Sequence, residues 1–494
     1  MNLRILAKIL GALLLLESIA MFLCAVFTWL DPRCACDWSM MALMKSAGIT
    51  AAFGGGLVLL GWGKINKIPR REGVVIVGLG WILSGIFGGL PYLFGQPAMT
   101  PADALFESVS GFTTTGSTVM TDIEAWPRGI LMWRSVTQWL GGLGILVLFV
   151  ALLSYLGVGT KSLFRNESSF QTGEASTARI RDTAISLWRV YLAITSLCIL
   201  GLKAMGLTWY NAVSHGFTAV STGGFSPHNA SIGYYADWGN GWLIELWLSL
   251  FMLICSVSFL IWVVIVRKRW KRLRSEEEGK WFFLLCFSAA LMIAIGIAAK
   301  DMEGFWPALR HAWFIVVSIA STTGFGTVDY EQWPGFALVL IAMLMLLGGC
   351  SGSTAGGLKV SRLLVMIRTA RFEVVKAFRP HKVFKMQVNG NSIDPEARSQ
   401  TVIFICLYCF LVVFASLIMG ILEFVNDIDL VTSVGAVFAT LPNIGPGFGE
   451  VGPTKNFAHF LPATKVFLSL LMILGRLELY AVLVLFIPSL WRKY

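Results

Sequence analysis

Apolar residues run along this chain in long blocks separated by short polar loops, and ten blocks reach the ~20 residues needed to cross a ~30 Å hydrocarbon core. They cover 3–30, 41–62, 73–95, 129–156, 183–206, 240–266, 280–299, 335–369, 400–424 and 464–487, with the eighth interrupted by small residues. Four further runs, 103–112, 209–219, 304–319 and 429–439, are too short to cross and are flanked by polar loops. They predict re-entrant helices. The pattern therefore resolves into an N-terminal hairpin over 1–66 and four units of span, short helix, loop and span at 73–156, 183–266, 280–369 and 400–487. The expected fold is an all-α integral membrane protein whose four pseudo-symmetric units surround one axis. The longest polar stretch, 371–399, is too short for a soluble domain.

Composition agrees. Hydrophobic residues make up 56% and charged residues 14% of the 494 positions, whereas a soluble chain carries about 25% charged residues. A net charge of +11 invites a nucleic-acid reading, but its distribution excludes one. Lys64, Lys67, Arg70 and Arg71 follow the second span, and Lys161, Arg165, Arg179 and Arg181 the fourth. Arg267, Lys268, Arg269, Lys271, Arg272 and Arg274 follow the sixth, Arg371, Lys376, Arg379, Lys382 and Lys385 the eighth, and Arg492 and Lys493 close the chain. If the spans alternate, all fall on one side, so the positive-inside rule puts both termini in the cytoplasm. Asp122, Glu124, Asp237, Asp301, Glu303, Asp329, Glu331, Asp427, Asp429 and Glu450 then lie outside, as a funnel for cations or as ordinary solvated loops. The first span is too long for a removable leader and lacks a small-residue cleavage site. Cys34 and Cys36 share a predicted external loop, where a mutual disulfide would be strained. Cys24, Cys198, Cys255, Cys286, Cys350, Cys406 and Cys409 lie in apolar runs as packing residues.

The candidate chemistry lies just after the four short helices. The segments are Thr113-Thr114-Thr115-Gly116, Val220-Ser221-Thr222-Gly223, Ser321-Thr322-Thr323-Gly324 and Asn443-Ile444-Gly445. Non-helical backbone at membrane depth must be buried in protein or line a watery path. A glycine at the end of each loop allows carbonyls to turn toward one axis, and rings of carbonyls replace the hydration shell of potassium in a selectivity filter. The helices aim their negative C-terminal ends at the cation. One such segment would be an ordinary helix terminus; four in register predict a metal-ion filter.

These segments, with Ser221-Thr222-Gly223-Gly224-Phe225-Ser226, Ser321-Thr322-Thr323-Gly324-Phe325-Gly326, Asn443-Ile444-Gly445-Pro446-Gly447, Gln138-Trp139-Leu140-Gly141-Gly142-Leu143-Gly144 and Gly475-Arg476-Leu477-Glu478, resemble the Trk/Ktr/HKT superfamily of potassium transporters, and within it the bacterial TrkH type. The resemblance spans essentially the whole chain. It implies potassium uptake through a channel-like pore in a bacterial inner membrane, a homodimer, and a cytoplasmic ring of nucleotide-binding (NAD/ATP-type) regulatory subunits, with no organic cofactor in this chain. Val220, Pro442, Asn443 and Ile444 depart from fourfold identity, so the ring should be uneven. A serine in place of Gly116 would point, by the same resemblance, toward sodium.

Two further features bear on gating. Gly348-Gly349-Cys350-Ser351-Gly352-Ser353-Thr354-Ala355-Gly356-Gly357 interrupts the eighth span. With Lys359 it mimics a phosphate loop but lacks that motif's spacing; it reads either as a pore-blocking intramembrane loop or as close packing by small residues. Arg476 lies in the last span, where a charge usually marks function. It reads as a barrier below the filter or as half of an ion pair, and Lys465, about three turns earlier, would share its face. Glu478 points elsewhere.

The chain thus reads as a potassium transporter driven by membrane potential, with coupling to another ion in a symporter left open. Sodium or mixed potassium and sodium transport is the alternative of the same class. An intramembrane enzyme finds little support, since His215, His228, His311, His381 and His459 are scattered. A receptor or scaffold is the remaining class, separable by flux through the purified protein.

Overall fold

The computed structural model describes residues 2–31, 38–63, 69–142, 144, 177–266, 268, 276–379, 386–479 and 487–488. Cys34, Cys36, Lys64, Lys67, Lys161, Arg165, Arg267, Arg269, Lys271, Arg272, Arg274, His381, Lys382, Lys385, Arg492 and Lys493 lie outside the described residues, and so do the second half of the 129–156 run and residues 480–486.

Helices α1 (Leu3–Leu30) and α2 (Ser39–Leu60) form the N-terminal hairpin, packed through α1 onto α3 (Arg70–Gly88). A short α4 (Leu90–Leu93) follows. Then come α5 (Pro101–Phe112), α6 (Arg128–Gly142), α7 (Thr177–Ala204) and α8 (Trp209–Val220). The series continues with α9 (Gly241–Ser256), α10 (Phe259–Val266), α11 (Glu278–Ala299), α12 (Phe305–Ala320), α13 (Gly335–Leu346) and α14 (Val360–Phe378). Last are α15 (Pro395–Leu422), α16 (Leu430–Thr440) and α17 (Pro462–Arg476). Among the described residues six helices are long and apolar enough to cross a membrane. One large apolar core joins the elements, while α15 turns Ile403, Phe410, Val413, Leu417 and Ile421 outward, as a lipid-facing helix does.

The short helices α5, α8, α12 and α16 start where local chemistry favours it. Thr100 accepts a hydrogen bond from Asp103 N at 3.2 Å, Thr208 one from Asn211 N at 3.2 Å, and Asp429 one from Thr432 N at 2.9 Å. Each satisfies an orphan donor of a helix N-terminus. The fourth, α12, follows Gly304 without a side-chain cap.

Three expectations are corrected. The run 240–266 is broken rather than continuous: α9 and α10 meet at 92°. The carbonyls freed at the break are used elsewhere. Ile254 O accepts from Trp262 Nε1 at 3.0 Å, Ser256 O from Cys350 N at 2.8 Å and Cys255 O from Thr354 Oγ1 at 3.2 Å. Tertiary partners thus replace the helical ladder, as buried carbonyls require. The fold is also not wholly α. Gln387–Val388 (β1) pairs antiparallel with Asn391–Ser392 (β2) across a turn with Asn389 and Gly390 at φ +52° and +73°, a two-residue hairpin built on left-handed residues. Cys406 and Cys409 are exposed rather than packed inside.

Candidate functional site

The four short helices end in the same way. After each, one residue takes a left-handed conformation: Thr114 (φ +55°), Thr222 (+53°), Thr322 (+56°) and Asn443 (+60°). The next amide then reaches back five residues, Thr115 N to Ser110 O at 2.9 Å, Gly223 N to Thr218 O at 2.8 Å, Thr323 N to Ser318 O at 2.8 Å and Ile444 N to Ala439 O at 2.9 Å. This is helix termination through a left-handed residue. A threonine there is uncommon, because its branched Cβ crowds the following carbonyl, and the surroundings must hold it. Thr222 Oγ1 donates to Ser221 O at 2.7 Å, and Thr322 Oγ1 accepts Gly356 N at 2.7 Å.

The equivalence moves the second loop by one residue. Gly116, Gly324 and Gly445 have φ of +88°, +81° and +106°, and their counterpart in the second loop is Gly224 at +77°. Gly223, expected to fill that slot, instead aligns with Thr115, Thr323 and Ile444.

The loops meet in cyclic order. A Cβ on Gly116 would collide with Gly223 O, one on Gly224 with Thr323 O, one on Gly324 with Ile444 O, and one on Gly445 would stand 2.8 Å from Thr115 O. The chain of contacts runs from first loop to second, third, fourth and back to the first. Glycine is required at each step for two reasons, the positive φ and the missing Cβ. All four glycines line one cavity of about 140 Å³, with Ser117 and Ser226 at its wall.

Side chains brace this ring. Gln138 donates from Nε2 to Gly223 O at 2.6 Å and accepts Phe225 N at 3.0 Å, leaving one lone pair of that carbonyl for another partner. Asn443 Nδ2 donates to Thr115 Oγ1 and to Met472 O, both at 2.9 Å, and Ser117 Oγ donates to Gly445 O at 2.9 Å. Outside the ring, a buried pair escaped the sequence reading. Arg134 Nε donates to Glu107 Oε1 at 2.5 Å, its Nη1 to Ser226 O at 3.1 Å, and its guanidinium lies 3.5 Å from the Phe225 ring centre. Glu107 also accepts Thr118 Oγ1 and Val119 N at 3.0 Å. The available signal was two charges within apolar helices.

The glycine-rich segment between α13 and α14 lies against these loops. Its ends are joined by Gly348 N donating to Leu358 O at 2.8 Å. Thr354 Oγ1 reaches Val220 O at 3.4 Å, and no room remains for a Cβ between Gly356 and Pro442 O. Arg476 donates from Nη1 to Thr354 O and from Nη2 to Gly141 O and Gly142 O, each at 2.7 Å. Lys359 Nζ donates to Ala355 O. The expected cationic stripe is not formed: Lys465 donates to Asp103 Oδ1 at 2.6 Å and to Ala458 O at 2.8 Å, so a carboxylate neutralises it. Glu478 pairs with Arg362 of α14.

The acidic loop residues are partly committed. Asp122 accepts Asn229 Nδ2 at 2.8 Å, Glu331 accepts Gly449 N at 2.6 Å, and Glu450 pairs with Lys455 at 3.1 Å. His228 stands 3.1 Å from Glu124 and stacks on Tyr234; burial lowers its pKa against the opposing pull of Glu124. His215 contacts Tyr235 Oη at 3.2 Å. Among the described residues no group of three or more His, Cys, Asp or Glu is placed to hold a metal ion.

Broken helices, glycine-jointed loops meeting around one cavity and an apolar exterior define a multi-pass membrane transport protein. The TrkH family model, described as cation transport protein, matches residues 39–299 and 306–493. The TrkH potassium uptake protein of Halomonas elongata is 38% identical over 100% of both chains, and that of Escherichia coli (strain K12) 33% identical over 100% of both. The crystal structure of the potassium transporter TrkH from Vibrio parahaemolyticus superimposes with a TM-score of 0.86 at 31% identity, covering 100% of each chain. The chain belongs to the TrkH family of cation transport proteins.

Proposed function

We propose that this protein carries potassium selectively into the cytoplasm through a channel-like path at the centre of the four loops. The observation that carries the reading is the cyclic contact of Gly116, Gly224, Gly324 and Gly445 with carbonyls of the neighbouring loops. The ion site is the carbonyl set of Thr115, Gly223, Thr323 and Ile444 with the flanking residues Thr113, Thr114, Ser221, Thr222, Ser321, Thr322 and Asn443, because carbonyl dipoles there replace a potassium hydration shell. Four units, 73–156, 183–266, 280–369 and 400–487, surround this path, and 1–66 is a peripheral hairpin. Uptake runs down the membrane potential, since 100 mV supplies about 2.3 kcal/mol per charge.

Both termini and the basic loops belong on the cytoplasmic side, which puts the glycine-rich segment below the filter. That segment, 348–357, is the gate. Its support is the contact of Thr354 and Gly356 with the filter loops and the clamp of Arg476 on Thr354 O. By resemblance to relatives whose names assign them to a Trk system, the chain works as a homodimer in a bacterial inner membrane, controlled by cytoplasmic nucleotide-binding subunits. Rubidium influx into liposomes holding the purified protein tests the reading: potassium should displace the tracer and equimolar sodium should not.

A further inference from the structure

The gate segment is tied to an element outside the path. Ser351 N, at its middle, donates to Glu278 Oε2 at 2.8 Å, and Ser351 Oγ lies 2.6 Å from Ser361 Oγ on α14. The other carboxylate oxygen of Glu278 accepts Asn389 Nδ2 at 2.6 Å. Asn389 Oδ1 in turn accepts Glu277 N at 2.9 Å and Glu278 N at 3.4 Å, so the hairpin caps the first turn of α11, which its own residue at that position leaves uncapped. Arg368 of α14 donates to Gln387 O and pairs with Glu277, fastening the hairpin to the helix that leaves the gate.

From this geometry we infer that Glu278 and Asn389 are positioning residues of the gate: the Asn389–Glu278–Ser351 relay latches segment 348–357 closed, and displacement of the 387–392 hairpin releases it. The inference rests on reading that segment as the gate. Glu278 is buried, and a buried carboxylate keeps its place through the donors it accepts. Both of its partners here are donors. A glutamine offers one acceptor oxygen where two are needed, so one bond must be lost. The hairpin lies on the side assigned to the cytoplasm and leads directly into α15, so a cytoplasmic partner that moves it pulls on the fourth unit and the latch together.

Asn389→Asp separates the latch from simple capping. Aspartate caps a helix as well as asparagine does, so a purely structural role predicts a folded protein with unchanged flux. It also sets a carboxylate against Glu278, which pushes that side chain away from Ser351. The latch predicts that Asn389→Asp, in full-length protein reconstituted without any partner, raises rubidium influx about tenfold, the scale of losing a hydrogen bond to a charged group. Selectivity for potassium over sodium stays that of the parent protein, and the Ser351 amide loses its protection from hydrogen exchange. Glu278→Gln should do the same if the aspartate variant fails to fold. Deleting Gly349 to Ser353 should raise influx by itself, and adding Asn389→Asp to that deletion should change nothing more. Parental influx in Asn389→Asp and Glu278→Gln, beside a leaky deletion, overturns the latch and leaves the gate standing. A deletion that does not raise influx overturns the gate, and the latch with it.

Discussion

Arg476 Nη1 donates to Thr354 O at 2.7 Å, which joins the last helix to the middle of the segment proposed as the gate. Its Nη2 holds Gly141 O and Gly142 O at 2.7 Å, so one guanidinium fastens three stretches of chain that are far apart in sequence. A planar cation with five fixed donors suits this task in a way lysine does not.

Arg476→Ala should raise partner-free rubidium influx several-fold while leaving the ratio of potassium to sodium uptake unchanged. The gate loses a clamp, and the ion loses a repelling charge that acts strongly where water is scarce. Influx per folded molecule, equal to or below that of the parent protein, would show that Arg476 is only a structural tie.

Glu107→Ala should cost about 3–5 kcal/mol, because Arg134 is left as a buried charge without its carboxylate partner. Thr118 and Val119 lose their acceptor too. The thermal midpoint of detergent-purified protein reads the loss. The double variant with Arg134→Leu should lose less than the sum of the single changes, since the two residues act as one unit. Strict additivity would contradict the coupling.

Burial, aided by the neighbouring Glu278, pushes the Glu276 carboxyl up to about 7 from its ordinary 4.5. Between those values the folded chain holds a proton that the unfolded chain has released, so this contribution to stability is present at low pH and is lost as pH rises through 7. Protection of the first turn of α11 from hydrogen exchange, corrected for base catalysis, should fall between about pH 4.5 and 7 and level off above that, and Glu276→Gln should flatten that dependence. An identical slope in the variant assigns the effect to another group.

The repeat, the short helices and the Thr-rich loops were legible because each rests on local chemistry: apolar length, a capping Thr or Asp, a glycine after a helix. The slot in the second loop is not legible in the sequence because Gly223 and Gly224 are adjacent, and only the backbone angles distinguish them. The break at Val257 left no local mark, since its cause is the glycine-rich segment taking the carbonyls of Cys255 and Ser256. Helical spacing groups Lys465 with Arg476, yet Asp103, which neutralises Lys465, lies on α5 and is unrelated to it in sequence pattern. Asn443 looked like a lapse in the repeat. In the fold its amide bonds the first loop through Thr115 and the last helix through Met472.

Competition of potassium and sodium for rubidium influx, measured in liposomes with the parent protein, Gly223→Ala and Gly224→Ala, tests the central claim most directly. At Gly224 a methyl group meets the backbone oxygen Thr323 O and the backbone is left-handed, whereas at Gly223 the backbone is not left-handed and the methyl meets the side-chain amide of Gln138, which must shift on its bonds to Gly223 O and Phe225 N. The account predicts that potassium but not sodium displaces rubidium in the parent protein, that Gly224→Ala loses this discrimination or the flux itself, and that Gly223→Ala is affected less. Equal displacement by sodium in the parent protein, or parental flux and discrimination in Gly224→Ala, would contradict it.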